Sequence, residues 1–112
     1  MFAHIDYKNP PALCPVRDVM SVASDQWSTL IILWLAYFDT LRFNKLKKYV
    51  YGISNKVLSQ RLKALEADGY LKREAFPEVP IRVEYSLTEF GHSYVERLLE
   101  LTEWMQKNSP KV

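Results

Sequence analysis

The stretch that decides the fold is Ile53-Ser54-Asn55-Lys56-Val57-Leu58-Ser59-Gln60-Arg61-Leu62-Lys63-Ala64-Leu65-Glu66-Ala67-Asp68-Gly69. Ser54 stands before a periodic run, where its hydroxyl can accept from a free N–H of the first helical turn. Gly69 supplies the left-handed residue that often follows a helix. A helix over residues 55–67 is predicted. At 100° per residue, Leu62 and Leu65 fall within about 40° of Leu58, so these three define a buried face. Lys56, Gln60 and Lys63 point roughly the opposite way. Ser59 lies at the edge of that outer face, and Arg61 lies near the buried side, where its stem can cover apolar surface.

Upstream, Tyr51-Gly52-Ile53 reads as a turn, and residues 43–49 form a short amphipathic helix with Phe43 and Leu46 on one side and Lys45 and Lys48 on others. Two helices joined by a glycine-containing turn make a helix-turn-helix. Asp39-Thr40 interrupts the pattern. Before it, a helix starts near Trp27, capped by Ser24 or Asp25, and runs to Phe38; it is apolar almost all round and is expected to be the central buried helix. Pro15 suits the first position of a short helix over residues 15–21, since proline there loses no helical hydrogen bond. The residues before Cys14, ending in Asn9-Pro10-Pro11, read as an arm.

Downstream of Gly69 the period changes from 3.6 to 2. Residues 71–76 and 82–87 read as two strands, with Val83, Tyr85 and Leu87 on one face and Arg82, Glu84 and Ser86 on the other. The loop Pro77-Glu78-Val79-Pro80-Ile81 between them makes a wing. Thr88 caps a long terminal helix to about Lys107, on which Phe90, Tyr94, Leu98, Leu101 and Met105 form a stripe widened by Val95 and Leu99. The fold class is mainly α with a small β-hairpin: a winged helix-turn-helix. The expected divisions are an arm over 1–13, one domain over 14–107 and a tail over 108–112.

Charge adds a direction. Residues 42–65 hold seven basic side chains and no acidic one, whereas the remainder of the chain holds 8 basic and 13 acidic residues within an overall net charge of +2. Such a layout presents one face to a polyanion. The outer face of the 55–67 helix offers amide, hydroxyl and ammonium groups with no carboxylate among them, Glu66 and Asp68 coming only after the part that would enter a groove. Gln60 suits adenine N6 and N7, Lys56 and Lys63 suit guanine or phosphate, and the helix start with Ser54 and Asn55 suits a phosphate. Ser59 borders the same face. Arg42, Asn44, Lys45 and Lys48 on the preceding helix are placed to touch backbone phosphate. Arg82, just past the wing tip, reaches either the adjacent minor groove or a cross-strand ion pair with Glu74 or Glu84.

The stripe Phe90, Tyr94, Leu98, Leu101, Met105 is wider than one neighbouring helix covers in so small a domain, which indicates dimerisation through it; an intramolecular core role is the alternative. Cys14 is the one cysteine. It precedes Pro15 at a helix N-terminus, where the dipole favours thiolate, so it reads either as a reactive, redox-sensing thiol or as a small buried apolar residue. His4 and His92 with one cysteine lack metal-ligand spacing, and no cofactor is implied. No apolar run approaches a membrane span and no secretion signal is visible, so a cytoplasmic location is expected. No nucleophile–base pair or phosphate-cradling glycine loop points to an enzyme.

These stretches together resemble the HxlR-type (DUF24) regulators, winged-helix proteins close to the MarR group. The resemblance rests on Cys14-Pro15-Val16, Trp27, Arg42-Phe43, Ile53 to Leu62, Leu65 to Gly69, Pro77 to Pro80 and Val83 to Thr88. It implies a homodimer, built by the N-terminal segments and the terminal helix, that binds an imperfect palindrome in double-stranded DNA and regulates transcription, most simply as a repressor. It also implies that a cysteine at the place of Cys14 can answer an oxidant or small-molecule electrophile. The chain departs from the family at Ser24-Asp25-Gln26, where glycine and lysine commonly precede the tryptophan, and at Asp39, where glycine is common. The competing reading is a winged-helix module that binds protein rather than DNA.

Overall fold

The computed structural model describes residues 25–110. Cys14, the arm and the helix expected over residues 15–21 lie outside that span. The elements run α1 (Gln26–Phe38), β1 (Thr40–Leu41), α2 (Phe43–Tyr49), α3 (Asn55–Ala67), β2 (Leu71–Phe76), β3 (Arg82–Leu87) and α4 (Glu89–Asn108).

Each boundary has a local cause. Asp25, not Ser24, caps α1 by accepting from the N–H groups of Trp27 and Ser28. Ser54 Oγ accepts from Val57 N at 3.1 Å, the capping bond expected of it. Gly69 takes φ +86 after α3. Thr88 Oγ1 accepts from Gly91 N at 3.0 Å and donates to Gly69 O, which latches the start of α4 to the end of α3. Asp39 sits at φ 68, a conformation that costs a side-chain-bearing residue energy, and this accounts for the fit of glycine at that place.

The sheet is three-stranded and antiparallel, in the order β1-β3-β2. The wing hairpin pairs Leu71 with Leu87 and Phe76 with Arg82. The third strand was not expected: Thr40 and Leu41 pair with Ser86 and Tyr85, too short a segment to show alternation. It ties the chain leaving α1 to the wing.

Ile31, Ile32 and Leu35 of α1 form the centre of the core, packed with Leu46 and Val50 near α2, Leu58, Leu62 and Leu65 of α3, Leu71 and Leu87 of the sheet and Val95 of α4. Full burial of one such side chain contributes about 1.5–3 kcal/mol. α1 is the central helix, as expected, but among the described residues only one of its faces is buried. Its opposite face carries Leu30, Leu33, Trp34 and Tyr37, which line an open groove of about 610 Å³ with Phe38 and Tyr49. Tyr37 is 76% exposed. One small domain has too few elements to cover every side of its central helix.

The terminal stripe divides in the same way. Gly91 and Val95 are buried against the domain, and Tyr94 stacks edge-on to Tyr70 with ring centroids 5.2 Å apart. Phe90, Leu99, Leu101, Trp104 and Met105 are exposed. The far half of α4 therefore extends away from the core with its apolar side chains in solvent.

Candidate nucleic-acid interface

The stripe Leu58, Leu62, Leu65 is fully or nearly fully buried, which fixes the outward face of α3. Lys56, Gln60 and Lys63 are all exposed on it, and Ser59 is half-buried at its edge. Ser54 and Asn55 are exposed at the N-terminus of α3, where the helix leaves N–H groups for a phosphate. On α2, Arg42, Asn44, Lys45 and Lys48 are likewise exposed. Arg42 stands at the N-cap position of α2, where a guanidinium, having donors only, cannot cap the helix N–H groups.

The structure brings together side chains far apart in sequence. A shallow cleft of about 320 Å³ between α3 and the wing is lined by Ser59, Lys63, Glu66, Arg73 and Tyr85. Arg73 was not singled out from the sequence, because it lies beyond the acid-free window and next to Glu74. The pairing of β2 with β3 is what sets it beside α3. A second recess is lined by Arg42 and Lys45 together with Glu84 of the wing, Phe38 and Tyr49.

Arg82 takes the ion-pair arrangement. Its Nε donates to Glu78 Oε2 at 2.8 Å, Nη1 donates to Glu84, and the guanidinium carbon lies 3.8 Å from the centroid of the Phe76 ring. Glu78 fills the place that Glu74 was expected to fill. The bonds to Glu78 and then Glu84 push the Arg82 pKa above its ordinary value. A groove or phosphate contact from Arg82 requires exchange of these carboxylates.

Arg61 also has a partner: its Nε donates to Asp25 Oδ1 at 3.3 Å. Burial by itself would raise the Asp25 pKa, but hydrogen bonds from Ser28 and Arg61 and the Arg61 charge hold it below the ordinary 3.8. Among the described residues no three His, Cys, Asp or Glu side chains gather as metal ligands, and no helix is long and apolar enough to cross a membrane. Of the stripe expected to dimerise, Phe90, Leu101 and Met105 are exposed, and Tyr94 and Leu98 are half-buried.

The family described as "HxlR-like helix-turn-helix" matches residues 22–112, a span that takes in α1, the helix-turn-helix, the wing and α4. The chain belongs to the HxlR-like helix-turn-helix family. It is 42% identical over 99 residues to the uncharacterized HTH-type transcriptional regulator YtfH of Escherichia coli (strain K12), covering 88% of this chain and 78% of the relative. The reduced form of the transcriptional regulator YodB from B. subtilis superposes with a TM-score of 0.77 at 30% identity, covering 88% of this chain and 95% of that one. The redox regulator HypR in its reduced form superposes with a TM-score of 0.73 at 33% identity, covering 86% of this chain and 94% of that one. As an HxlR-like protein, the chain has in α2 and α3 its helix-turn-helix and in β2–β3 its wing.

Proposed function

We propose that this DNA-binding transcriptional regulator acts in the cytoplasm as a homodimer on an imperfect palindrome in double-stranded DNA, and represses the genes beside it. The observation that carries the reading is the exposed outer face of α3: Lys56, Gln60 and Lys63 project from a helix anchored by three buried leucines, and its one carboxylate, Glu66, stands only in the last turn. In this reading Gln60 and Lys63 enter the major groove with Lys56, Ser59 and Asn55 beside them. Ser54, Arg42, Asn44, Lys45 and Lys48 hold phosphate and set the register, and Arg82 exchanges its carboxylates for the neighbouring backbone or minor groove. Phe90, Tyr94, Leu98, Leu101 and Met105 bury their apolar surface against a second copy, which places two recognition helices for two half-sites. Transcriptional control needs no enzymatic step from this chain.

Regulation falls to Cys14. An oxidant or electrophile modifies its thiolate and DNA is released. With one cysteine per chain, oxidation ends either in a bond from Cys14 to the partner's Cys14 or in a mixed disulfide with a small thiol, the oxidant accepting the two electrons. The likeness to YodB and HypR supports this reading. The test is a gel shift on the chain's own upstream DNA with and without the thiol oxidant diamide, for the wild type and Cys14→Ser. The wild type is expected to lose DNA on oxidation and the variant to keep it. Equal release from both proteins contradicts the sensor and leaves the regulator standing. Absence of salt-dependent binding in both redox states favours the protein-binding module.

A further inference from the structure

The residue that caps α1 also bonds to α3. One Asp25 oxygen accepts from Trp27 N at 3.0 Å, from Ser28 N at 3.4 Å and from Arg61 Nε at 3.3 Å. The first two bonds cap α1, and several residue types serve that purpose. The third reaches across the fold to the middle of α3. Trp27, the next residue but one, lies near the turn that leads into α3, at a distance where a Cβ added to Gly52 would just reach its ring, 3.9 Å from Cη2. The bond that holds α3 directly is the one from Arg61 to Asp25.

The leucine stripe sets how deeply α3 sits, but apolar packing has no preferred direction and tolerates small rotations about the helix axis. A directional hydrogen bond does not. Arg61 projects 100° from Gln60, so fixing one fixes the other. A side-chain tip about 6 Å from the axis moves about 1 Å for each 10° of rotation, and a hydrogen bond keeps its strength only over a few tenths of an ångström. Arg61 is about one-third exposed, and its partner similarly so, which makes the pair a better angular stop than a source of stability.

We propose that Asp25 is a positioning residue for base reading: by holding Arg61, it sets the rotation of α3 at which Gln60 and Lys63 face the major groove. The inference rests on the assignment of α3 as the DNA-contacting helix. It predicts that losing the pair harms discrimination between sequences and spares general affinity for duplex DNA, because no phosphate contact is removed.

The experiment compares the full-length wild type with Asp25→Ser, Arg61→Met and the double variant. Two probes of equal length are used at one salt concentration, a duplex enriched from a random pool by the wild type and its scrambled counterpart. Ser caps a helix about as well as Asp, so α1 is retained, while its shorter side chain gives up the bond to Arg61 that an asparagine oxygen would keep; Asp25→Thr serves the same purpose if Asp25→Ser fails to fold. The expected result is an affinity ratio lowered about fivefold in each single variant and no further in the double, with scrambled-duplex binding and its salt dependence unchanged. A wild-type ratio in Asp25→Ser, or additive losses in the double variant, overturns the proposal. So does an Arg61→Met loss that is equal on both duplexes and flattens the salt dependence, which would make Arg61 a phosphate contact. A wild type that binds neither duplex in a salt-dependent way overturns the DNA-contact reading and this proposal together.

Discussion

Gly91→Ala should be among the most damaging single-atom additions to this domain, although alanine is the better helix former. Gly91 sits in the first turn of α4, and a Cβ there would lie 2.3 Å from Tyr70 O, 3.2 Å from Leu87 Cδ2 and 3.3 Å from Leu87 Cβ. The first contact is with backbone, and that carbonyl is held in place by Thr88 N at 3.1 Å. Replacing glycine within a helix favours folding by about 1 kcal/mol. Against this, forcing a methyl into a packed site costs about 1–3 kcal/mol, and more where backbone must move. Withdrawing α4 to relieve the clash also loosens Val95 and the Tyr70–Tyr94 contact. The net expectation is a loss of about 2 kcal/mol, about 8 °C in Tm for a domain near 100 residues. Urea unfolding followed by far-UV circular dichroism at one fixed protein concentration measures it, the concentration being held because the proposed dimer would add to apparent stability. An unchanged or raised midpoint would refute the claim that α4 docks through close approach at Gly91.

Three further substitutions test separate links. Asp39→Gly removes the cost of a side chain at φ 68 and should raise stability by about 1 kcal/mol, read as a higher Tm; a lower Tm would mean that the aspartate side chain supports the turn. Gln60→Ala should cost about 1–3 kcal/mol on the enriched duplex and little on scrambled DNA, while Lys48→Ala should weaken both and reduce the salt slope by about 0.9; fluorescence anisotropy titrations distinguish the two patterns. The depressed Asp25 pKa gives a signed pH dependence. A carboxylate held below its ordinary 3.8 contributes stability that is present above that value and lost as pH falls through the folded-state value. The stability gap between the wild type and Asp25→Asn should therefore be flat from about pH 7 to 5 and shrink below about 4. A gap that shrinks near pH 6 instead would point to another group.

The wing hairpin and α3 were legible because their signals are local: a serine cap, a leucine stripe of helical period, a glycine at the left-handed position and alternation in Val83, Tyr85 and Leu87. β1 was hidden because two residues carry no period, and Thr40–Leu41 is a strand only through its pairing with Ser86 and Tyr85. The open face of α1 misled for the opposite reason. Its apolar residues show that the face must be covered without showing by what. In the site, the exposed cations of α2 and α3 follow from helical geometry, whereas Arg73 beside Lys63, the Glu78–Arg82–Glu84 cluster and the Asp25–Arg61 pair depend on the tertiary approach of separate elements. Asp25 was legible as a helix cap, and nothing local reveals its second partner 36 positions away.

The central claim is that the acid-free face of α2 and α3 meets duplex DNA, and the salt dependence of binding tests it most directly. Binding constants for the enriched duplex should be measured from about 50 to 200 mM salt for the wild type and for a variant in which Lys45, Lys48, Lys56 and Lys63 are changed to glutamine. The account predicts a straight fall of log K with log salt in the wild type, made shallower by about 0.9 for each phosphate-contacting lysine removed. A slope near zero in the wild type, or one unchanged in the variant, would contradict it.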